Sequence, residues 1–387
     1  MKGIDEAIVV GGGIGGLAAA LALQKSGCVG RIQVLERASE FGELGAGVQL
    51  APNALRALQT LGAYEDIDRY AVYPRRLVMM NALTGSFITA LDLGGPFVER
   101  FGVPYLLLHR GDLLTMLLDR AKQFDAIELR SGVNVTGVEA DGSGARVIAG
   151  AEDLRGDLVV GADGLRSVVR ACLLGGARPV GEGYAAYRGA VPFDRVASIA
   201  DGEDVLLWVG PGMHLIQYPI RRGELYNQVV TFHSDRYSPD HDDWGTEAEL
   251  DERFAVACGS VRTGLDLIDR RRRWEIVDRD PVDTWVRGRI ALLGDAAHPM
   301  VQYVGQGAAQ ALEDAASLMA ALSAEPDVDA ALARYERVRV PRASRVQALA
   351  RRFGEVLHAD GMSAVMRDRL LAARSHADYS EIEWLYG

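Results

Sequence analysis

Ala7-Ile8-Val9-Val10 is an unbroken, mostly β-branched apolar run, the pattern of a strand buried on both faces. Glycines follow at once, and then an Ala- and Leu-rich stretch, Leu17 to Lys25, predicts a helix closed by Ser26-Gly27. A second strand, Arg31 to Leu35, ends on Glu36. Two later apolar runs end in the same manner. Leu158-Val159-Val160 runs into Gly161-Ala162-Asp163-Gly164, and Ile290 to Leu293 runs into Gly294-Asp295. In the middle of the chain Val205 to Val209 reads as an apolar strand and Asn227 to Phe232 as a partner. Between them Met213 to Pro219 alternates, and period two sets His214, Ile216 and Tyr218 on one face. From Ala330 to His358 the apolar spacing is helical, with Pro341 expected to kink or break the helix. The alternation of buried strands and helices predicts an α/β fold.

Composition narrows this only a little. The 387 residues are 49% apolar and 25% charged, which is globular, and the length suggests about two domains. A net charge of −11 argues against a nucleic-acid partner. Cys28, Cys172 and Cys258 are far apart, so no metal cluster or disulfide framework is expected and a reducing cytoplasm is the simplest setting. Asp5 and Glu6 precede the apolar run at the N-terminus, which is unlike a secretory signal, and no apolar stretch reaches membrane-spanning length.

The first forty residues carry chemistry. Strand, Gly11-x-Gly13-x-x-Gly16, helix, strand and Glu36 form a dinucleotide fingerprint. Gly11 permits the tight turn, Gly13 lets the backbone approach a pyrophosphate, and Gly16 lets helix and strand pack closely. The helix N-terminus faces the phosphate charge. Glu36 suits a ribose 2′-OH and disfavours a 2′-phosphate. The fingerprint alone does not separate FAD from NAD.

Taken with Glu36-Arg37, the segment His109-Arg110-Gly111-Asp112-Leu113, the Asp163-Gly164 motif and the Gly294-Asp295 motif, the chain resembles the single-component, class A flavoprotein aromatic hydroxylases of the p-hydroxybenzoate hydroxylase fold. That resemblance implies a Rossmann-like FAD-binding domain with an inserted mixed β-sheet substrate domain and a C-terminal helical segment. The expected boundaries are 1–72, 100–180 and 276–322 for the FAD domain, 73–99 and 181–275 for the substrate domain, and 323–387 for the helices. It implies that Gly11, Gly13, Gly16 and Glu36 hold the ADP half of FAD, with Arg37 and Arg110 along the adenosine, ribose and pyrophosphate. Asp163 would serve the pyrophosphate and NAD(P)H, and Asp295 the ribityl chain. Gly45-Ala46-Gly47-Val48 would run along the isoalloxazine, and Gly305, Gly307 and Ala308 would offer N–H groups to its pyrimidine edge. Asp163 and Asp295 also have a plainer reading, as strand-end caps.

The family's reaction uses NADH or NADPH as a transient co-substrate and O₂, through a flavin C4a-hydroperoxide that attacks an electron-rich ring. The protein's lever is removal of the phenolic proton, best done by a base near neutral pKa. Gly183 to Gly189, the His214–Tyr218 strand and the loop His298 to Tyr303 most resemble the branch that converts 3-hydroxybenzoate to gentisate. That resemblance implies His214 as the base, with Tyr218 and Gln302 orienting the substrate. Gln302 stands where many relatives carry Pro, and Ala309 where many carry Asn. Arg188, Tyr218 or Gln302 could meet the substrate carboxylate, and Arg188 reads equally as a surface arginine. His298 reads better as a packed structural histidine, Arg270 to Arg273 as a solvated or ion-paired run, and Leu357 and the Trp384-Leu385-Tyr386 tail as packing residues. The alternatives are a decarboxylating salicylate 1-monooxygenase, a 6-hydroxynicotinate 3-monooxygenase, or, from another class, a non-hydroxylating flavin-binding reductase or chaperone. The expected partners are a small aromatic acid, O₂ and NAD(P)H, with no nucleic acid, no membrane and a homodimer as an option.

Overall fold

The computed structural model describes residues 3–42, 46–142, 144–150, 152–176, 178–197, 200 and 202–387. Gly45, the first glycine of the stretch assigned to the isoalloxazine, lies outside them. The apolar N-terminal run forms the strand Ile4–Val10 at the centre of a six-stranded sheet. Its parallel neighbours are Val29–Leu35 on one side and Leu158–Gly161 on the other, and Leu158–Gly161 pairs in turn with Ile290–Leu292. The four strands read as ending in Gly, Glu or Asp therefore lie side by side and finish at one edge. Ligands in such sheets gather at the carboxyl ends of the strands.

The glycines set the first turn. Gly11 has φ +107°, and a Cβ there would sit 2.4 Å from the Ala162 carbonyl oxygen. A Cβ on Gly16 would fall 1.8 Å from the Gly11 oxygen, so helix and strand could not approach as they do. The helix Ile14–Ser26 is buried along nearly its whole length and ends at Gly27 in the left-handed region. It packs beside the helix Gly307–Ala324, where Gly15 and Ala311 allow close approach.

A second, seven-stranded sheet runs in the order Trp274–Asp278, Val180–Pro192, Leu225–His233, Met213–Ile220, Asp204–Gly210, Arg76–Asn81, Phe87–Asp92. Its Trp274–Asp278 strand pairs across to Val180 and Gly181, so it straddles the 275/276 boundary drawn from the sequence. One rung crosses most of this sheet, Arg188–Val229–Ile216–Leu207–Met79–Thr89. Two rungs along, on the same face, the ladder passes through Ala186, Thr231, His214 and Val209. Met213, Leu215, Val230 and Phe232 point to the far face, where the helices Glu247–Phe254 and Gly259–Asp266 bury them.

The near face is roofed by the C-terminal helices. The helix Val328–Leu357 is continuous over 30 residues through Pro341, so of the kink or break expected there the break does not occur. A proline inside a helix costs about 3 kcal/mol. Burial of Tyr335, Val340, Ala343, Val346 and Ala350 along the helix offsets that, because tertiary packing outweighs propensity. Leu357, Leu385 and Tyr386 are buried packing residues. The arginine run is paired rather than free. Arg270 meets Asp251 at 2.8 Å, Arg271 meets Asp269 at 2.6 Å, and Arg272 and Arg273 lie over Trp274 and Trp244.

Candidate active site

Two cavities adjoin between the sheets, of about 510 Å³ and about 420 Å³. Both are lined by Arg110, Asp295, Gly307 and Ala308, so these four residues mark the passage between them.

The smaller cavity gathers the residues of the dinucleotide fingerprint. Gly11, Gly13, Glu36, Arg37 and Asp163 line it, while Gly16 lies in the packed turn behind. A Cβ on Gly13 would meet nothing within 4 Å, so that backbone faces open space. The first-turn N–H groups of the helix Ile14–Ser26 have no intrahelical acceptors and point toward it. The Glu36 carboxylate is fixed at the strand end by the N–H groups of Gly12 at 2.8 Å and Ala38 at 2.9 Å. This is a cradle with room and dipoles for a pyrophosphate beside a carboxylate for a ribose. Asp163 is less available. Its oxygens accept from Ser167 Oγ at 2.5 Å and from the N–H groups of Val168 at 2.7 Å and Val169 at 3.2 Å. Burial pushes its pKa up against those bonds. The strand-end capping that its sequence context allowed is thus present at Asp163, whereas Asp295 is exposed to both cavities.

At the junction, Gly305 has φ +63° and turns the chain into the helix Gly307–Ala324. That helix has no side-chain cap, which leaves its first N–H groups to the larger cavity. Gly47 and Val48 lie opposite in a short strand, Gly47–Leu50. The Gly47 N–H donates to Asn227 Oδ1 at 2.7 Å, and a Cβ on Gly47 would clash with Tyr218 at 2.5 Å. An elongated cleft with a glycine cradle at one end and a flat, glycine-edged junction at the other fits FAD.

The larger cavity gathers the residues expected to face a substrate. His214, Ile216 and Tyr218 share it with Arg188 and Gln302. His214 and Tyr218 are each 3% exposed. Burial pushes the His214 pKa down to about 3, so its ring is neutral. Burial pushes the Tyr218 phenol up, opposed by Gln49 and Arg188. Gln302 Nε2 donates to Thr231 Oγ1 at 3.3 Å. The half-buried Arg188 stacks its guanidinium 3.7 Å over Trp274, so it is neither a free surface group nor fully buried.

His298 is structural, as its sequence context favoured. It is fully buried, with Nε2 2.6 Å from Asp314. Arg339 bonds Asp314 at 2.7 Å and Glu313 at 2.6 Å, and Arg342 bonds Glu313 at 2.5 Å. Burial would raise both carboxyls, but the cations beside them win and hold both below the ordinary range. Tyr303, in the loop His298 to Tyr303 already singled out but given no role there, sets its ring edge against His214 at 5.5 Å. Two site residues had no sequence signal: Tyr105 donates to Gln49 at 2.5 Å next to Tyr218, and His358 bonds His214. Both arrive from distant segments without a motif.

A glycine-cradled dinucleotide cleft opening onto a chamber lined by buried side chains defines a flavin-dependent oxidoreductase. The chain belongs to the FAD binding domain family, whose model matches residues 5–350, and it is a flavoprotein monooxygenase. It is 39% identical to a 3-hydroxybenzoate 6-hydroxylase of Polaromonas naphthalenivorans (strain CJ2), over 98% of this chain and 95% of that one. It is 37% identical to a 3-amino-4-hydroxybenzoate 2-monooxygenase of Streptomyces cremeus, over 98% and 94%. Among solved structures it is similar to Klebsiella pneumoniae HpxO complexed with FAD and uric acid. The TM-score there is 0.87 at 29% identity, covering 100% of this chain and 96% of that one. Among the described residues no helix is long and apolar enough to cross a membrane.

Proposed function

We propose that this protein hydroxylates 3-hydroxybenzoate para to its hydroxyl group, giving gentisate, with NADH or NADPH and O₂ as co-substrates. The observation that carries the reading is the common face: His214, Arg188 and Tyr218 on alternate rungs of one sheet, with Gln302 beside them, around one cavity that adjoins the FAD junction. That set suits a phenol with a carboxylate on the same ring. FAD, once reduced by the nicotinamide, supplies the activated oxygen. His214 takes the phenolic proton at Nε2, because its Nδ1 is occupied inside the fold. The phenolate so made is rich in electron density at its para carbon. Burial leaves the imidazole and the phenol to exchange a proton within one hydrogen bond, so the charges form as a pair and not alone. Tyr218 and Gln302 orient the ring, and Arg188 faces the carboxylate. Asp295 would hold the ribityl hydroxyls, and the N–H groups from Gly305 to Ala308 would hold the flavin's pyrimidine edge. Exclusion of water by Leu207, Ile216, Val229, Met300 and Leu357 keeps oxidation coupled to hydroxylation.

The relatives named for 3-amino-4-hydroxybenzoate support a second reading, an aminated hydroxybenzoate substrate. Both readings use a phenol and a carboxylate. The three unpaired cysteines support a cytoplasmic enzyme. The test is to purify the flavoprotein and measure NADH and NADPH oxidation with hydroxybenzoates, aminohydroxybenzoates, salicylate and 6-hydroxynicotinate, weighing hydroxylated product against H₂O₂. The expected product from 3-hydroxybenzoate is the 2,5-dihydroxy acid, one oxygen heavier with no loss of CO₂. His214→Ala should lower hydroxylation by roughly 10²- to 10⁴-fold while FAD stays bound. Unchanged turnover in that variant would remove His214 from the chemistry.

A further inference from the structure

Inside the fold the His214 ring meets a second imidazole. His214 Nδ1 lies 2.7 Å from His358 Nε2, and the two rings meet edge to edge with centroids 5.0 Å apart and planes 25° apart. His358 caps the C-terminus of the helix Val328–Leu357, 144 residues further along the chain. It is only 9% exposed. Tyr184 stacks on it at 4.4 Å, and Tyr303 presents an edge at 5.1 Å. Gly354, one turn earlier on the same helix, leaves the space that Tyr303 fills, since a Cβ there would lie 2.6 Å from the tyrosine ring.

Two neutral imidazoles joined by one hydrogen bond hold a single proton between them. With that proton on His214 Nδ1, Nε2 is a bare lone pair, and it is the nitrogen left for the cavity that His214 lines. With the proton on His358 instead, His214 must carry N–H at Nε2 and is no base. We propose that His358 is a positioning residue for the hydroxylation, accepting from His214 Nδ1–H so that His214 Nε2 can take the phenolic proton. The inference rests on the reading of His214 as the base.

In the step, the phenolic O–H bond breaks and an N–H bond forms at His214 Nε2. The electron pair stays on the phenolate oxygen, and nothing is oxidised or reduced. His214 then carries a positive charge, and its bond to His358 becomes charge-assisted, shorter and stronger than the neutral one. The other polar and charged groups near the pair are Tyr184, Tyr303, His233 and Arg367, from four different elements. Arg367 and His233 disfavour a second cation at His358, which suits an acceptor that stays neutral.

The test uses the full-length, FAD-loaded enzyme without nicotinamide. Binding of 3-hydroxybenzoate is followed by phenolate absorbance from pH 6 to 9, and turnover is then measured. His358→Phe keeps a stacked ring and removes the acceptor. His358→Gln restores an acceptor. The Phe variant should raise the apparent pKa of the bound phenol by about one unit and lower kcat about tenfold or more, with little change in KM. The Gln variant should return both to within about threefold of the parent. A Phe variant that holds FAD and shows parental ionisation and kcat overturns the proposal. So does a Gln variant as damaged as the Phe variant, which would mean packing alone. His358→Met takes the place of Phe should that protein not retain FAD. Full turnover in His214→Ala would instead overturn the base on which the inference stands, so the two failures are distinct.

Discussion

Along the nucleotide cleft the atoms that face a ligand are mostly backbone: the open turn at Gly13, the first N–H groups of the helix Ile14–Ser26, and those at Gly307 and Ala308. In the chamber beside it they are side chains, His214 and Tyr218 from one strand, Arg188 from another, Gln302 from a turn, with His358 behind them from the far end of a helix. The difference has a physical origin. A pyrophosphate is recognised by charge and dipole, which any backbone supplies once glycine allows it to come close. A phenol must be ionised at one atom, and that needs a titratable ring held in one protonation state. The cleft should therefore fail by steric intrusion and the chamber by loss of hydrogen bonds.

The largest effect is expected at the cleft. Gly16→Ala places a methyl 1.8 Å from the Gly11 oxygen, a contact that backbone cannot relieve by rotating a side chain. Overpacking of this kind costs about 1–3 kcal/mol or more, so FAD affinity should fall by roughly 100-fold. Flavin absorbance per protein in the purified variant reads this directly. A fully yellow Gly16→Ala protein would mean that the turn is not the rigid cradle described.

A smaller effect is expected where a glycine serves the chamber. Gly354→Ala pushes on the Tyr303 ring from 2.6 Å, and that ring edges both His214 and His358. A displaced ring can tilt, unlike a backbone oxygen, so the fold should survive. Misplacement of the base should lower kcat/KM about tenfold with FAD content unchanged. Loss of FAD together with activity would show that the two regions are not separable in this way.

How far each region could be read beforehand follows from the same contrast. The cleft is written locally, because turn, helix start and strand-end acid fall within about thirty residues and each glycine has a steric reason to be there. The strand Met213–Ile220 was legible because period two is a property of the strand itself, and His214, Ile216 and Tyr218 do share the cavity. Asp163 was ambiguous, since a carboxylate at a strand end can cap a helix or meet a ligand, and its bonds to Ser167, Val168 and Val169 show the capping. His358 was illegible. Nothing near it in sequence marks it, and its contact with His214 exists only because the helix Val328–Leu357 continues through Pro341 far enough to deliver it.

The smallest effect separates the two regions by pH. Burial holds the folded pKa of His214 near 3, and burial together with His214 holds that of His358 near 2, against an ordinary 6.5. A histidine with a depressed folded pKa stays neutral while the unfolded chain takes up a proton. Stability is therefore lost as pH falls through about 6.5, and the loss continues down to the folded values. Glu313 and Asp314, in the network behind the flavin junction, have ordinary values of 4.5 and 3.8 and are held lower in the fold. Their contribution is complete above those values and fails only in stronger acid, so between pH 7 and 6 the pair of carboxylates is silent. Over that single unit the two histidines together should cost about 1 kcal/mol of unfolding free energy. Replacing one ring, as in His358→Phe, should roughly halve the slope with pH, whatever the variant does to absolute stability. Denaturant midpoints at pH 7.0, 6.5 and 6.0 for parent and variant measure it. Equal slopes would mean that the imidazoles are hydrated well enough to protonate in place, and the dry chamber that hydroxylation requires would not exist as drawn.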